Sequence, residues 1–283
     1  MSTTEGLSPS DLKSLCDFLY RRTGMLFGES KRYYIDRRVA YRMEETGANT
    51  FAAYLAFLRK DALEAEHLIN SFTVNETYFY REENQLRALS RSLLPEITAR
   101  RQPGDKVRIW SAPCATGEEP YSIAIWLLEN WAMVDAYNIE IVGSDIDTRV
   151  IAAALEGDYS ARAVSRLPEK VRKLYFDEAA GGGWRIIRDI KESVTFTQVN
   201  LIDPESVAAQ ERFDIIFCRN LFIYFDDASR LVAADNLFSS LTPGGFVCLG
   251  HTEFMLRTLS GFLCRRFEDA VVYQRPLLAG DDG

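Results

Sequence analysis

Histidine and cysteine are scarce in this sequence, and no two cysteines have the spacing of a metal or redox motif. The 283 residues include two histidines and five cysteines, with no CxxC pair. A structural zinc site needs clustered ligands and a disulfide framework needs paired thiols, so the composition argues against both. Thiols without such partners favour a reducing compartment, and we expect a cytoplasmic protein.

Long hydrophobic runs are also missing. The longest apolar stretches, such as FDIIF and AIWLL, are far shorter than the ~20 residues that span a bilayer. The first residues, MSTTEGLSPSD, lack the basic-then-apolar pattern of a signal peptide. We therefore expect a chain that is neither exported nor directly inserted in a membrane.

Positive charge is not in excess, although its distribution is uneven. The net charge is −8, which disfavours a general nucleic-acid binder. Residues 1–60 carry ten Lys/Arg and seven Asp/Glu, a balance of +3, whereas the rest of the chain has a balance of −11. The N-terminal part is therefore where an acidic partner is expected to bind.

The N-terminal part has the signals of a compact helical domain, which we place at residues 1–75. Ser8 and Pro9 are an N-cap and a first helical residue, and Gly24 is suited to end that helix. Apolar residues at helical spacing predict a second helix near 30–46 and two more after it.

The rest of the chain predicts an α/β domain with a mainly parallel sheet. Residues 76–105 have the character of a connecting segment, and strand-like and helix-like segments alternate through 106–283. The glycines Gly181–Gly183 between two short β-prone runs predict a small inserted β-hairpin, within a β-subdomain near 175–198.

Residues 106–122, KVRIWSAPCATGEEPYS, predict a buried strand, a turn of small residues and the start of a helix. The turn lacks a glycine-rich dinucleotide pattern. Glu118 and Glu119 at the helix start would be unwelcome beside a pyrophosphate, but they suit a cofactor that carries an ammonium and a sulfonium. Asp145 ends the next strand, where an acid can accept both hydroxyls of a ribose, and Asp147 is the expected helix cap that leaves Asp145 free.

Two further segments combine polar and aromatic residues. VNETYFYRE holds Asn75, Thr77 and Arg81, and CRNLFIYFD places Arg219 and Asn220 at the carboxyl end of a strand, where ligands bind in such sheets. Taken singly, these segments are equally consistent with an interdomain linker, core packing and helix capping.

The ordered motifs NETYFYRE, SAPCATGEEPYSIA, GSDID and FCRNLFIYFD, with VNL at 199–201 and GHTE at 250–253, are similar to those of the chemotaxis receptor glutamate O-methyltransferases, the CheR type. The resemblance covers nearly the whole chain. It implies a Rossmann-like methyltransferase domain that follows a small all-helical domain. It also implies transfer of methyl from S-adenosylmethionine to glutamate side chains of chemoreceptor helices, with S-adenosylhomocysteine as product and no metal.

The resemblance also assigns residues to roles. It implies a reacting centre with Arg81 and Tyr224. It implies a receptor-docking surface on the basic second helix, with Arg37, Arg38 and Arg42, and a receptor tethering peptide at the Gly181–Gly183 hairpin in some members. The cofactor site that it implies consists of Asn75, Thr77, Arg81, Glu118, Asp145, Asn200, Leu201, Asn220 and Leu221.

Two alternatives stay open at this point. A methyltransferase of the same fold could act on a small molecule, and it would then turn over without any receptor protein. A non-catalytic sensor could bind the cofactor and recruit receptors, although the complete set of candidate site residues argues against this. Nucleic-acid methylation fits least, because the chain has a negative net charge and no broad basic face.

Overall fold

The structure is a computed structural model that describes residues 6–179, 181–253 and 261–277. By their contacts these residues form two compact units. The first unit consists of the chain up to Val74 together with Tyr224–Arg230. The second unit consists of Asn75–Ile223 and the residues from Leu231 onward.

The first unit is helical. Its first helix begins and ends as the sequence predicts: the side chain of Ser8 accepts a hydrogen bond from the backbone N–H of Asp11, Pro9 is the first helical residue, and Gly24 ends the helix with φ of 70°. A 3-10 turn at Glu29–Lys31 precedes the second helix. The helices are α1 (Pro9–Thr23), α2 (Arg32–Thr46), α3 (Phe51–Leu58) and α4 (Ala62–Phe72).

A distant segment completes the first unit. The backbone N–H of Leu26 donates to the carbonyl of Tyr224 at 3.0 Å, and the hydroxyl of Tyr20 donates to Asp226 at 2.9 Å. The last three residues of the motif CRNLFIYFD lie in this segment and therefore belong to the helical unit.

The second unit is built on a seven-stranded sheet with the order β6-β2-β1-β7-β8-β10-β9. The first five of these strands are parallel, and β10 runs antiparallel to both β8 and β9. The predicted α/β fold with a mainly parallel sheet is therefore confirmed. The strands are β1 (Lys106–Ser111), β2 (Asn138–Asp145), β6 (Val194–Gln198), β7 (Phe213–Cys218), β8 (Leu241–Leu249), β9 (Leu263–Arg266) and β10 (Val271–Gln274).

The strand order fixes where a ligand would bind. From β1 the chain moves outward through β2 to β6, and then it returns to β7 on the other side of β1. The order reverses between β1 and β7, and ligands of such sheets bind outside the carboxyl ends of the strands at this point. Ser111 and Cys218 end the two strands.

The segment predicted as a connector is largely helical and contributes to the core of the second unit. Leu86, Leu89, Leu93 and Leu94 are almost fully buried in that core. A π-helical stretch, Leu89–Leu93, separates α5 from α6. The helices of this unit are α5 (Glu83–Ala88), α6 (Leu94–Thr98), α7 (Glu118–Asn130), α8 (Thr148–Glu156), α9 (Glu169–Tyr175), α10 (Arg188–Glu192), α11 (Pro204–Ala208) and α12 (Asp227–Ser240).

The inserted hairpin is part of a three-stranded antiparallel sheet. Strand β4 (Phe176–Ala179) pairs with β5 (Gly183–Ile186), and β5 also pairs with β3 (Asp158–Tyr159), which the sequence did not indicate. Gly181 and Gly182 adopt left-handed φ angles of 91° and 85° between the two hairpin strands. Strand β6 falls inside the predicted β-subdomain range, but it pairs with β2 in the large sheet.

No helix in the described ranges of the chain is both long and apolar enough to cross a membrane.

Candidate functional site

The turn after β1 depends on a glycine. Gly117 precedes α7 with φ of 92°, a conformation that side-chain-bearing residues rarely adopt. A Cβ at this position would lie 2.9 Å from Cβ of Ala154 and 3.0 Å from the ring of Tyr121. Both the backbone angle and the close packing therefore require glycine, and they fix the start of α7 at the carboxyl end of β1.

Glu118, the first residue of α7, is only 4% exposed. Its carboxylate accepts a hydrogen bond from the hydroxyl of Thr116 at 2.6 Å. Burial raises the pKa of Glu118, and the bond from Thr116 partly offsets that effect. A buried carboxylate at this position gains from a cationic ligand, because a positive charge stabilises its ionised form.

Asp145 ends β2 and is also 4% exposed. Its two carboxylate oxygens accept hydrogen bonds from the backbone N–H groups of Ala115 and Asp147, each at 3.0 Å. Burial raises the pKa of Asp145 to about 6, although these backbone bonds act in the opposite direction. As predicted, Asp147 and not Asp145 caps the next helix. Asp145 is nevertheless not without partners, since it ties the β1–α7 turn to the end of β2.

Asp147 is the predicted helix cap. Its side chain accepts from the backbone N–H of Arg149 at 3.0 Å at the start of α8. The amide of Asn75 donates to the same carboxylate at 3.1 Å. Asn75 and Asp145 lie 70 residues apart in the sequence, and both are hydrogen-bonded to Asp147.

Arg81 lies in a tightly turned segment. Its guanidinium donates to the carbonyl of Glu76 at 2.6 Å and lies 5.8 Å from the ring centroid of Tyr78. Thr77, in the same segment, is half-buried. Arg81 belongs to the second unit and Tyr224, the other predicted residue of the reacting centre, belongs to the first.

The end of β7 is organised by a carboxylate from the β8 end. Glu253 accepts hydrogen bonds from the backbone N–H groups of Asn220 at 2.6 Å and Gly250 at 2.9 Å. Asn220 has a left-handed φ of 60°, and Leu221 after it is half-buried. The motifs FCRNLFIYFD and GHTE therefore meet at one point of the sheet edge.

The loop after β6 holds two further residues of the cofactor site that the resemblance implies, Asn200 and Leu201. The backbone N–H of Asn200 donates to Ser206 at 3.1 Å, and its side-chain oxygen accepts from the backbone N–H of Ile202 at 3.3 Å. Leu201 is buried, and its carbonyl accepts from the amide of Asn236 at 2.9 Å. The loop is thus ordered by its own side chains and by α12.

Left-handed backbone at non-glycine residues is concentrated in the motifs. In the described ranges it occurs at Tyr80, Glu82, Ala115 and Asn220, with φ between 46° and 60°. Such conformations cost roughly 1–3 kcal/mol each and cluster at functional sites. All four lie in the segments that the sequence had singled out.

A buried ion pair joins these segments, and sequence reasoning did not predict that its two residues contact each other. The guanidinium of Arg219 donates to the carboxylate of Glu119, which also accepts from the hydroxyl of Ser111 at 2.7 Å. Arg219 also donates to the carbonyl of Arg81 at 2.7 Å. The signals in the sequence were the second acid of the Glu118–Glu119 pair and an arginine directly after a core strand.

The three arginines predicted to dock a receptor differ in their surroundings. The guanidinium of Arg42 lies 3.0 Å from a carboxylate oxygen of Glu64, which is 4% exposed and also accepts from the hydroxyl of Tyr54 at 2.7 Å. Arg42 is thus part of a buried cluster in the helical unit. A docking role for its charge stays a prediction that this geometry does not favour.

Arg38 and Arg37 lie on different faces of α2. Arg38 stacks on the ring of Tyr34 at 3.2 Å from the centroid and donates to the carbonyl of Ser71, where α4 ends. Arg37 is exposed, and it lies one turn from both Tyr33 and Tyr41, which are 82% and 57% exposed. These three residues form an exposed stripe on α2, which we call the Tyr-Arg-Tyr stripe.

In the described ranges no group of three or more His, Cys, Asp or Glu side chains could hold a metal ion. Buried carboxylates instead line the carboxyl edge of a doubly wound sheet, at the point where its strand order reverses. Together the fold and the site define a class of protein, the doubly wound domains that bind a nucleoside-bearing cofactor at this edge of the sheet.

Comparison with known families identifies the class more closely. Residues 75–266 match the CheR methyltransferase, SAM binding domain, and residues 10–73 match the CheR methyltransferase, all-alpha domain. The chain belongs to the CheR methyltransferase family. It is therefore a chemotaxis methyltransferase that depends on S-adenosylmethionine (SAM).

Individual relatives agree with the family assignment. The chain is 44% identical over 272 residues to chemotaxis protein methyltransferase 2 of Vibrio cholerae, covering 95% of this chain and 94% of the relative. It is 35% identical to chemotaxis protein methyltransferase 2 of Pseudomonas aeruginosa, with 86% of each chain covered. It is 31% identical to the chemotaxis protein methyltransferase of Borreliella burgdorferi, covering 87% of this chain and 89% of that one.

Proposed function

We propose that the chain methylates glutamate side chains on the helices of chemoreceptors, giving glutamate methyl esters. The observation that carries this proposal is a family SAM-binding domain whose matched residues include the buried carboxylates Glu118 and Asp145. Relatives named for chemotaxis support a chemoreceptor as the acceptor. Transfer of labelled methyl to a receptor fragment tests the proposal directly.

The two buried carboxylates of the site have the chemistry that SAM requires. Asp145 keeps lone pairs beyond its two backbone bonds, and these can accept the hydroxyls of a ribose. Glu118, buried and hydrogen-bonded to the hydroxyl of Thr116, suits the ammonium of an amino-acid moiety. We assign to the same cofactor site the other motif residues, namely Asn75, Thr77, Arg81, Asn200, Leu201, Asn220 and Leu221.

When bound, SAM supplies an electrophilic methyl group for an acceptor carboxylate oxygen. A glutamate is already ionised at pH 7, so the chain need not provide a strong general base. Its residues have to desolvate the acceptor carboxylate and aim one oxygen. We assign that role to the guanidinium of Arg81 and the hydroxyl of Tyr224.

Two substitutions separate these roles. If Arg81 orients the acceptor, Arg81→Ala strongly lowers kcat and leaves the dissociation constant for SAM unchanged, as measured by calorimetry. An equal loss of SAM affinity would instead make Arg81 a cofactor residue. Tyr224→Phe removes only a hydroxyl, so an unchanged kcat would exclude that hydroxyl from the reacting centre.

The Tyr-Arg-Tyr stripe on α2 is our candidate for the receptor contact. Exposed tyrosines and arginines are the residues that most often dominate binding energy, and Arg37 offers a charge for an acidic helix. Arg37→Glu should raise KM for a receptor fragment and leave SAM affinity unchanged. Arg59→Glu, at the exposed end of α3, is a control with the same charge change. An equal effect of both variants would contradict a specific contact.

The small sheet is our candidate for a tethering contact. Strand β4 is an edge strand of this sheet, next to the Gly181–Gly183 turn. An edge strand can accept an extended peptide by backbone hydrogen bonds. A receptor C-terminal peptide that binds wild type and a Glu178→Pro variant equally well would contradict this site, since proline removes a donor on that strand.

A further inference from the structure

Arg219 is a buried arginine with more polar partners than a simple ion pair would give it. Its side chain is 4% exposed. Besides Glu119 and the carbonyl of Arg81, its guanidinium lies 3.8 Å from the carboxylate of Glu82. One side chain thus connects the end of β7, the start of α7 and the segment that contains Arg81.

The partners of Arg219 are themselves held in place. Glu82 lies 3.1 Å from Nδ1 of His251, at the end of β8, and accepts from the amide of Gln85 at 3.0 Å. The same amide donates to the carbonyl of Leu249 at 2.6 Å. The carboxyl ends of β1, β7 and β8 therefore meet in one polar network.

A buried network of charged groups such as this one is expected to add little to the free energy of unfolding. Burying charges carries a desolvation penalty that often exceeds their mutual attraction, so a buried pair is weak support for a stabilising role. An apolar residue could fill the space of Arg219, but it could not donate to Glu119 and to the Arg81 carbonyl together. The arrangement therefore favours a role in specifying a geometry.

The segment whose geometry Arg219 would specify is a strained turn. Tyr80 and Glu82, on either side of Arg81, have left-handed φ angles of 58° and 54°, and Asn220, next to Arg219, has one of 60°. Strained backbone persists only where the surroundings over-determine it. The bond from Arg219 to the carbonyl between the two strained residues supplies that restraint.

We propose that Arg219 is a positioning residue for methyl transfer, which holds the Tyr80–Glu82 turn and so sets the direction of the Arg81 side chain. This inference rests on the proposed function, in which Arg81 serves the reaction. Lysine at position 219 keeps the charge opposite Glu119, but it lacks the planar fork that reaches two acceptors in fixed directions.

The test is a double-substitution cycle on the full chain, with SAM and a chemoreceptor fragment as substrates. Wild type, Arg219→Lys, Arg81→Ala and the double variant are compared by kcat, SAM affinity and melting temperature. Arg101→Lys is the matched control, because Arg101 forms an ion pair with the buried Asp214 at the opposite end of β7. Each lysine variant thus alters an arginine–carboxylate pair at one end of β7.

We expect Arg219→Lys to lower the same kinetic parameter that Arg81→Ala lowers, by roughly 100-fold, as misplacing a group by about 1 Å does. In the Arg81→Ala background the same change should have little further effect, because the positioned side chain is gone. Arg101→Lys should leave kcat near the wild-type value.

Any of three results would overturn this inference without affecting the proposed function. The losses in kcat from Arg219→Lys and Arg81→Ala could multiply in the double variant, or Arg219→Lys and Arg101→Lys could lower kcat equally. The third is a fall in the activity of Arg219→Lys that is fully explained by a loss of folded protein. Absence of transfer by the wild-type chain would overturn the proposed function, and this inference with it.

Discussion

The backbone N–H of Ala115 donates a hydrogen bond to Oδ2 of Asp145 at 3.0 Å, which joins the turn after β1 to the end of β2. The backbone N–H of Asp147 binds the other oxygen. Both bonds favour the ionised carboxylate, yet burial outweighs them and raises the pKa of Asp145 to about 6. Asp145 is therefore mostly ionised at pH 7 and close to its titration range.

SAM binding should consequently weaken in mild acid. Protonation of Asp145 removes acceptor capacity from the oxygens that we assign to the ribose hydroxyls. We expect the dissociation constant for SAM, measured by calorimetry, to rise about tenfold for each pH unit well below 6. Asp145→Asn should bind more weakly at pH 7.5 and lack this pH dependence. Parallel profiles for the two proteins would contradict the assignment.

The same pKa predicts how stability depends on pH. The folded pKa of about 6 lies above the unfolded value of about 3.9, so between these values the folded protein binds more protons than the unfolded chain. The destabilising contribution of Asp145 at neutral pH is therefore relieved as the pH falls from about 7 to 4. Wild type should therefore gain up to about 3 kcal/mol in free energy of unfolding over this range relative to Asp145→Asn, which has no titrating group at this position.

Urea unfolding of wild type and Asp145→Asn at pH 7 and at pH 4.5 measures this effect. The stability of wild type should rise relative to that of Asp145→Asn at the lower pH. A difference that does not change with pH would show that Asp145 titrates at its ordinary value.

Arg42 should matter for stability and Arg37 should not. Arg42→Ala leaves the buried carboxylate of Glu64 without its cation, a change that costs about 3–5 kcal/mol for buried pairs. Arg37→Ala is the matched control on the same helix, and exposed substitutions usually stay within about 0.5 kcal/mol. Similar unfolding free energies for the two variants in urea would show that the Arg42–Glu64 pair contributes nothing.

Two glycines with the same φ angle allow the cost of backbone strain to be distinguished from the cost of close packing. Gly117 and Gly104 both have φ of 92°, but a Cβ meets close neighbours at Gly117 and nothing within 4 Å at Gly104. Gly104→Ala should cost roughly 1 kcal/mol, from backbone strain alone. Gly117→Ala should cost more and should also weaken SAM binding, because Glu118 moves with the start of α7. Equal costs in urea unfolding would contradict the packing argument.

Much of the fold could be predicted because its signals are local. The cap at Ser8, the left-handed Gly24 and the cap at Asp147 are read from neighbouring residues, and the structure has each of them. The alternation of strands and helices likewise predicted a parallel sheet, because apolar runs and turn residues are visible in the sequence.

Contacts between side chains were harder to predict than the fold, because the residues that pair lie far apart in the chain. Arg42 and Glu64 are separated by 22 residues, and Arg219 and Glu119 by 100, so their pairing depends on the folded sheet and helices. The resemblance placed Arg42 with Arg38 on a receptor-docking helix, but it could not show which guanidinium is already paired. The strand β3 has two residues and carries no pattern of its own.

The most direct measurement of the central claim is transfer of labelled methyl from SAM to a chemoreceptor cytoplasmic fragment. A fragment with its acceptor glutamates changed to glutamine is the control, because an amide offers no carboxylate oxygen. The account predicts base-labile label on the glutamate fragment alone. Cofactor binding without transfer to several receptor fragments, or transfer to a small molecule in their absence, would contradict it.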